Sequence, residues 1–511
     1  MEGFEPQIGK NVIETLTLGM YENALFIFRE YVQNAADQID IAVEEGVLEN
    51  KNEGEIDIVI NKDDRIIIIE DNATGIKNEN VLQFLGDVAN SQKNPEKRKG
   101  FRGIGRLGGL GYCDKLIFET TYKGENIKNK ITLNAKQLRN ILEDKTDTSD
   151  ASTVISTITS LSKEECSEDE HSFKVILQNV ENEILLDEDN VFQYLSMVAP
   201  IPYHPDFSFK DLIYSYYKTN KIAIDEYDVR LRINDVKLYK PYKSIFYKKE
   251  EEFSNLLEVI CFKILNNDDE IIGIGWYGIT NKLNHQIPEE NIELGIRLRK
   301  ENIGIGGKLT LSPRFGQSRQ NLNYIGEVHA IGYGFTPNAR RDYFNDSKTC
   351  SLFEAKLENI FSSLGGLTQD SSQLHNRKKD VTDYRKLLVD YEEKSNSGDF
   401  TARELEYLGG QLINQKDKAV DSVNKILKLK EKSIDDKKLR AVYSYVISDL
   451  DVVIDNNEFD LGLKTQTYPI TLSTLNSEKK KLVLEIFSII GENLSLEKAE
   501  MIKKKIAEYY N

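Results

Sequence analysis

The sequence predicts an α+β protein with about three domains, and three observations support this expectation. The chain has 511 residues, whereas about 150 residues is typical of one domain. Helical spacing over residues 21–45 is followed by short strands that are spaced as antiparallel pairs, which is typical of an α/β sandwich rather than of a parallel sheet. Strand patterns then continue to about residue 350, and charged helical patterns dominate beyond residue 352.

We expect the three domains to cover residues 1–190, 200–350 and 352–511. The first is expected to contain a helix followed by four strands: 21–45, then 55–60, 65–71, 115–122 and 173–180. Residues 143–171, rich in Asp, Glu, Ser and Thr, are expected to form an exposed excursion. The second is an α+β domain with five strand patterns: YDVRLRIND, LEVICFKIL, IIGIGWYGI, ELGIRLRK and GEVHAIGYG. The third is a helical region, a candidate for dimerisation or partner binding, with five segments: 353–362, 376–394, 402–431, 436–455 and 477–510.

Composition argues against several classes of protein. The chain has 67 Lys and Arg against 84 Asp and Glu, so its net charge is −17 and it repels bulk nucleic acid and anionic membranes, although a local basic patch can still bind either. No CxxC pair occurs, so we expect neither a zinc module nor a disulfide framework, and a reducing compartment fits best. There is no signal-peptide pattern at the start and no run of about 18 apolar residues. The sequence therefore predicts a soluble cytoplasmic protein without a membrane partner.

The segment FREYVQNAADQ places three polar side chains on one face of a helix, because Glu30, Asn34 and Asp37 are spaced four and three residues apart. Another face repeats an apolar spacing and is expected to pack on a sheet: Phe28, Val32, Ala35, Ile39 and Ala42. An amide oxygen can ligate Mg²⁺, and a carboxylate one turn away can orient or deprotonate a water. The spacing also fits an ordinary solvated helix face, and this segment alone leaves both interpretations open.

Two further segments favour a nucleotide. In IIIIEDNATGI an apolar strand runs into Asp71, which can accept a hydrogen bond from an exocyclic amine such as that of adenine, and Gly75 lets the backbone approach a flat ring. A plain strand-to-turn exit is the other interpretation. In NSQKNPEKRKGFRGIGRLGGLG, several glycines follow a run of basic residues, so backbone N–H groups can surround a phosphate. A flexible surface loop is the alternative there.

The order and spacing of the three segments resemble the GHKL ATPase superfamily, which includes gyrase, the ninety-kilodalton heat-shock chaperones, histidine kinases and MutL. A helix with ExxxNAxD, a strand with DxxxG and a glycine-rich lid follow one another, and the resemblance covers about residues 10–180. It implies a Bergerat α/β sandwich that binds ATP and Mg²⁺ and hydrolyses ATP.

The resemblance also implies roles for individual residues. Glu30 would be the general base, Asn34 the Mg²⁺ ligand and Asp37 a supporting residue, while Asp71 would bind the adenine amine. Ser172 stands where the family usually has a threonine that helps to hold adenine, and it keeps the hydroxyl group.

The lid is implied by the glycine-rich segment. Gly100, Gly103 and Gly105 would close over the phosphates, and Ser91 and Lys93 resemble the SxK of MORC and MutL-like lids. One departure concerns the family's DxGxG motif, in which Ala73 stands where the first glycine is expected. Because alanine adds only a methyl group, we expect nucleotide binding to survive.

The second domain supplies another resemblance. The stretch GFTPNARRDYF (334–344) is similar to the LPLNxSRE stretch in the middle domain of the heat-shock chaperones, where an arginine reaches the γ-phosphate after the lid has shut. Arg341 is the best match to that arginine and Arg340 is the alternative; a surface pair after a Pro-Asn turn is the other interpretation. Near another glycine cluster, Arg297, Arg299 and Lys300 are expected to form a solvated strand face. A structural role is expected for His329.

Two functional hypotheses are favoured over a third, a nucleotide-gated scaffold that binds ATP and hydrolyses it negligibly, because Glu30 is in place. The first is an ATP-driven conformational switch that resembles a ninety-kilodalton heat-shock chaperone, acts as a homodimer, turns over slowly and couples lid closure to docking of a transducer-like second domain. The second is a MutL- or MORC-like ATPase that acts on DNA in genome maintenance or phage defence, which the net charge of −17 disfavours. The histidine kinase branch is disfavoured because every histidine follows residue 30, whereas that branch needs a phosphoacceptor histidine before the ATP domain. The client or protein partner is not identified by the sequence.

Overall fold

The computed structural model describes residues 8–17, 23–86, 105–231, 236–397, 402–448, 450 and 475–510. It divides into two compact units, one formed by Met1–Gly278 with Gln286–Ser362 and the other by Ile279–His285 with Ser363–Asn511. Two mixed sheets and a helical C-terminal region confirm the predicted α+β class.

The first sheet has, within the described residues, eight strands in the order β5-β4-β3-β6-β2-β1-β7-β8. Neighbouring strands are antiparallel except for β1 and β7, which are parallel. The strands are β1 (Glu55–Asn61), β2 (Ile66–Asp71), β3 (Lys115–Thr121), β4 (Ile127–Asn134), β5 (Thr159–Glu165), β6 (Ser172–Gln178), β7 (Asp228–Leu231) and β8 (Val236–Lys237). The helices of this part are α1 (Asn11–Thr17), α2 (Phe26–Glu44), α3 (Val81–Gly86), α4 (Ala135–Glu143), α5 (Ala151–Ile158) and α6 (Glu188–Val198).

Helix α2 packs on this sheet as its apolar spacing predicts. Its five predicted sheet-facing side chains are all buried: Phe28, Val32, Ala35, Ile39 and Ala42. In β1 and β2 every second residue is buried, so isoleucines from both strands join the same core. Each buried isoleucine contributes about 1.5–3 kcal/mol to folding, and this core fixes where the polar face of α2 points.

Two segments differ from their predicted placement. Within residues 143–171, α5 forms and β5 pairs with β4, so much of the expected excursion has regular structure. The side chains of β5 are nearly all exposed, so the strand has no alternation of apolar and polar residues that would predict it. It forms nevertheless, because backbone hydrogen bonding to β4 does not depend on side-chain polarity. The strand pattern YDVRLRIND, grouped above with the second domain, supplies β7, which pairs with β1 in the first sheet.

The second sheet has, within the described residues, six strands in the order β13-β12-β14-β11-β10-β9. They are β9 (Ile245–Lys248), β10 (Glu251–Leu265), β11 (Ile271–Thr280), β12 (Gly295–Lys300), β13 (Ile303–Ile305) and β14 (Ile325–Ala330), and helix α7 (Lys210–Thr219) precedes them. Strands β12 and β14 are parallel, whereas β12 and β13 form an antiparallel pair.

A buried group of charged and polar side chains, here called the Glu327 cluster, lies in this second part: Glu327, Arg299, Lys240, His329, Tyr203 and Tyr242. The solvated strand face predicted for Arg299 is wrong, because this side chain is 0% exposed. Glu327 accepts hydrogen bonds from Tyr203 Oη at 2.7 Å and Lys240 Nζ at 2.9 Å, and it also pairs with Arg299 Nε. The spacing of residues along β12 could not predict this burial, because it does not show which face of the strand is covered by other parts of the fold.

The pKa values within the cluster follow from burial and pairing. Burial lowers the pKa of Lys240 to about 8 and that of His329 to about 4. Burial opposes ionisation of Glu327, but Arg299 and Lys240 outweigh it and hold the pKa of that carboxyl well below its usual range. At neutral pH the cluster therefore holds a carboxylate between two cations, with His329 neutral, in agreement with its predicted structural role.

The second unit contains the long helices. They are α8 (Lys348–Ser397, which begins in the first unit), α9 (Ala402–Asp435), α10 (Lys437–Ile447), α11 (Ser477–Asn493) and α12 (Leu496–Tyr510). Helix α8 runs unbroken through the gap between the predicted helices 353–362 and 376–394. The buried Leu364, Leu367 and Leu374 continue the apolar spacing across it, and their packing outweighs a cost of about 1 kcal/mol for each glycine in a helix interior. Among the described helices, none has the length and apolarity needed to cross a membrane.

Candidate active site

The polar face of α2 is withdrawn from solvent. Glu30 is 5% exposed and Asp37 is 0% exposed, while Asn34 is half-buried. If this were an ordinary solvated helix face, which is the alternative interpretation of the segment, the two carboxylates would be exposed to water. Burying a carboxylate costs free energy unless other groups compensate, so these residues form a structured polar site.

Arg341 lies against Glu30, although the two residues are far apart in sequence. Arg341 Nε is 2.8 Å from Glu30 Oε1, and Arg29 Nε is 3.7 Å from the same oxygen. Of the two arginines that the sequence left open, Arg341 is the one beside Glu30, whereas Arg340 is exposed. Two guanidinium groups thus face one buried carboxylate, which balances its charge.

The backbone at Arg341 is strained. Its φ is +55°, in the left-handed region that costs a non-glycine residue about 1–2 kcal/mol. Two hydrogen bonds hold this conformation: Arg341 N donates to Asn338 O at 3.1 Å, and Gly306 N donates to Arg341 O at 2.9 Å. A strained backbone that neighbours hold in place is typical of functional sites.

The last part of the glycine-rich segment packs against α2. Residues Gly105–Gly111 form a 3₁₀ helix, and a Cβ added to Gly105 would collide with the Glu30 carboxylate. Tyr31 Oη donates to Arg106 O at 3.1 Å and accepts from Gly109 N at 3.0 Å, and burial raises the pKa of Tyr31. Tyr31 was not among the predicted site residues, and its only signal in the sequence is its position next to Glu30. The other predicted residues of this segment lie outside the described residues: Ser91, Lys93, Gly100 and Gly103.

Asp71 ends β2 beside the ends of two neighbouring strands. It is 2% exposed, pairs in register with Phe173 of β6, and accepts a hydrogen bond from Ala73 N at 3.1 Å. On the adjoining strands, Ser172 lies opposite Thr121, with their hydroxyl oxygens 3.5 Å apart. The structure therefore places Ser172 at the same sheet edge as Asp71, next to the hydroxyl of Thr121. Thr121 was not predicted, and the threonine pair at the polar end of KLIFETTY was the available signal for it.

The turn after Asp71 requires glycine at position 75. Gly75 has φ +66°, and a Cβ there would lie 2.8 Å from Ser172 O and closer still to Thr121 O. The next residue is fixed as well, because Ile76 N donates to Thr120 Oγ1 at 2.9 Å. Before the glycine, Ala73 is fully buried and its carbonyl oxygen lies 2.9 Å from His171 Nδ1. At position 75 the neighbouring backbone therefore comes so close that a residue larger than glycine would not fit.

One face of α2 carries an amide oxygen and two carboxylates, from Asn34, Glu30 and Asp37, and these oxygens could hold Mg²⁺. Within the described part of the chain, no group of three His, Cys, Asp or Glu side chains is placed to hold a metal ion. Mg²⁺ commonly takes one or two protein oxygens and completes its shell with phosphates and water, and Asn34 offers one amide oxygen beside Glu30 and Asp37.

The collision at Gly75 yields a stability prediction. Gly75→Ala should lower the free energy of unfolding by more than about 2 kcal/mol, because a left-handed conformation costs about 1–2 kcal/mol and the Cβ collision adds to it. Gly46→Ala is the matched control, since Gly46 has φ +72° but no atom within 4 Å of an added Cβ. Urea denaturation of both variants measures the difference, and equal losses would contradict the proposed close approach.

Comparison with known proteins places part of the chain in a family. Residues 29–171 match the family described as histidine kinase-, DNA gyrase B-, and HSP90-like ATPases. Chaperone protein HtpG of Chromobacterium violaceum is 29% identical over 141 residues, covering 24% of this chain and 22% of that protein. HtpG of Sulfurovum sp. is 31% identical over 93 residues, which cover 17% of this chain and 15% of that protein. HtpG of Buchnera aphidicola is 28% identical over 132 residues, which cover 22% of this chain and 21% of that protein.

The matched region contains Glu30, Asn34, Asp37 and Asp71, and the chain spans about a fifth of the length of these curated relatives. The resemblance drawn from ExxxNAxD, DxxxG and the glycine-rich segment is thereby confirmed at the level of the family. The part of this chain at residues 29–171 is therefore similar to the histidine kinase-, DNA gyrase B-, and HSP90-like ATPase family.

Proposed function

We propose that this protein binds and hydrolyses ATP and uses the cycle as a conformational switch, in which a second domain supplies Arg341 to the ATPase site. The observation that carries the proposal is the 2.8 Å ion pair between Arg341 Nε and Glu30 Oε1. An arginine beside a buried carboxylate in an ATPase domain is positioned to stabilise charge that develops on a transferred phosphoryl group.

Each predicted site residue has a proposed role. Glu30 acts as the general base, Asn34 ligates Mg²⁺, and Asp37 supports them from the next turn of α2. Asp71 accepts a hydrogen bond from the adenine amine, with Ser172 beside it. Gly75 provides the close backbone approach described above, and the glycines at 100, 103 and 105, with Ser91 and Lys93, form the lid over the phosphates. Bound Mg²⁺ would neutralise phosphate charge.

The Glu30–Arg341 pair also suggests how ATP changes the site. Without a phosphate nearby, Arg341 Nε occupies Glu30 Oε1 as its ion-pair partner, so this oxygen is not available to a water. The γ-phosphate of ATP is a stronger anion and competes for Arg341. Once the arginine turns to the phosphate, Glu30 is free to act as a base, so binding and activation are linked through one side chain.

Glu30 provides the first test of the proposal. Steady-state ATP hydrolysis should be measurable for the full chain, and Glu30→Ala should reduce kcat by about 10²–10⁴-fold while ATP still binds, because a general base contributes about that much. Asp71→Asn serves as the reference for lost nucleotide binding. If Glu30→Ala hydrolyses ATP at the rate of the unaltered protein, the assignment of the base is wrong.

The same assay separates the chaperone-like switch from the DNA-dependent alternative. Hydrolysis that is indifferent to duplex DNA at low and moderate salt would favour a switch that acts on a protein client, in line with the similarity to proteins named chaperone HtpG. Stimulation by DNA that weakens steeply with salt would instead favour the MutL- or MORC-like function. The net charge of −17 favours the first outcome.

Arg341 is the second test. Arg341→Ala should reduce kcat by about 10²-fold with ATP affinity nearly unchanged, because a group that contacts the transferred phosphoryl matters mainly in the transition state. Arg340→Ala is the matched control, since Arg340 is its exposed neighbour. A loss of kcat in Arg340→Ala alone would transfer the role to that residue.

We further propose that the protein is a homodimer formed through its C-terminal helices. On α11, three apolar side chains spaced four and three residues apart are exposed: Leu482 at 58%, Ile486 at 38% and Ile489 at 60%. Their opposite face packs on α12 through a small core that includes Val483 and Phe487. Such a stripe on one helix face suits a symmetric helix–helix contact.

The homodimer is tested by its mass in solution. Ile489→Lys should shift the mass measured by light scattering from dimer to monomer, because it places a charge in the apolar contact. Ser488→Lys adds the same charge at the adjacent exposed position, away from the stripe, and should leave the dimer intact. A dimer that survives Ile489→Lys would rule out this contact.

A further inference from the structure

A glycine cluster after β12 has no role in the function described so far. Gly304, Gly306 and Gly307 follow the arginine-rich strand, and flexibility alone would be the simplest reason for them. The structure shows three different environments. A Cβ added to Gly304 would lie 3.1 Å from Val198 Cα, one added to Gly306 would meet Asp342 O, and one added to Gly307 would meet no atom within 4 Å.

Gly306 contacts the backbone of the strained arginine directly. Its N–H donates to Arg341 O at 2.9 Å, and its own φ is +64°. An added Cβ would collide with the carbonyl oxygen of Asp342 and with the hydroxyl of Thr310. Only glycine therefore allows this segment to approach the 341–342 peptide, and the approach holds Arg341 at its positive φ.

The other end of the segment is fixed to α6. Gly304 pairs with Arg299 across the β12–β13 ladder, and its close contact is with Val198 at the last residue of α6. Arg299 binds the chain that leaves this helix, since its Nη2 donates to Met197 O at 2.8 Å and its Nη1 lies 3.4 Å from Ala199 O. Glu327 holds Arg299 in turn, so the anchor is part of the buried cluster.

Helix α6 also borders the catalytic residues. It contacts α2, and its Tyr194 lies among the charges of the site. Burial raises the pKa of Tyr194, and the charges of Arg29, Glu30 and Arg341 act on its hydroxyl group. The contacts therefore form a closed path from α2 to α6, through segment 304–306, to Arg341 and back to Glu30.

We propose that segment 304–306 positions Arg341 against Glu30, with Gly306 as the positioning residue and Arg299 and Val198 as its anchor on α6. The proposal rests on the proposed function, and it adds a reason for the glycine cluster. A change in the end of α6 would move the segment, and the segment would carry Arg341 with it. Gly306 contacts the backbone of Arg341 through its N–H group, so we expect it to act through Arg341.

Gly306→Ala in the full chain tests the proposal. We expect kcat for ATP hydrolysis to fall by about tenfold or more with KM unchanged, since a misplacement of about 1 Å in a catalytic group can cost up to about 10²-fold. In an Arg341→Ala background, Gly306→Ala should cause no further loss, because the residue that it positions is already absent. Gly307→Ala is the matched control and should hydrolyse ATP normally.

Three outcomes would overturn the proposal: equal kcat in Gly306→Ala and Gly307→Ala, the same fold-loss with and without Arg341, or a change in KM alone. If Gly306→Ala binds no nucleotide, Thr310→Ala replaces it under the same criteria. Thr310 lies against Gly306, and its hydroxyl accepts from Gly307 N at 2.8 Å.

A measurement that needs no hydrolysis separates this inference from the proposed function. Urea midpoints of Glu30→Gln, Arg341→Gln and the double variant report the coupling between the two side chains. The coupling should persist in a Gly307→Ala background and disappear in a Gly306→Ala background. Coupling that survives Gly306→Ala contradicts the positioning role even if ATP is hydrolysed. Coupling lost in a chain that shows no Glu30-dependent hydrolysis would instead contradict the proposed function alone.

Discussion

The ion pair between Glu30 and Arg341 joins helix α2, in the region that matches the ATPase family, to the part of the chain that follows the second sheet. Both side chains are largely buried, with exposed fractions of 6% for Glu30 and 12% for Arg341. Removing either one would leave the charge of the other poorly compensated and would destabilise the fold. The pair persists because both partners are held by backbone: Glu30 by a helix fixed on the sheet, and Arg341 by a strained turn with two hydrogen bonds. Any motion that separates these two supports changes the environment of the carboxylate.

The Glu327 cluster anchors Arg299, which in turn hydrogen-bonds the carbonyl groups at the end of α6. Two cations and one carboxylate are buried together, and such an arrangement is a weak source of stability because desolvation offsets most of the attraction. Loss of one partner is nevertheless costly, by about 3–5 kcal/mol, since an uncompensated charge would remain inside. Separating the partners is therefore costly, so the cluster holds β12, β14 and the chain leaving α6 together.

Local sequence was sufficient for the elements whose signal lies within a few residues. The ExxxNAxD spacing is helical with its apolar face buried, β1, β2, β3 and β6 lie where their alternation predicts, and Asp71 ends its strand. Elements that depend on distant partners were missed or assigned to the wrong neighbours. The strand β5 was missed because its side chains are polar and exposed, and β7 was predicted as a strand but pairs with β1 in the first sheet. Helix α8 is continuous where two separate helices, 353–362 and 376–394, were predicted.

The sequence by itself determined the α+β class, the family of the first domain and the set of polar residues on α2 and β2, because these follow from periodicity and from motifs with short spacing. Tertiary structure decided which arginine lies beside Glu30, that Arg299 is buried rather than solvated, and that Tyr31 and Thr121 belong to the site. It also showed that position 306 lies too close to the backbone of residues 341–342 for any residue but glycine. Each of these contacts depends on which distant part of the backbone lies within a few ångströms. The packing of the sheets and of α6 determines this, and the spacing of residues along the sequence carries no information about it.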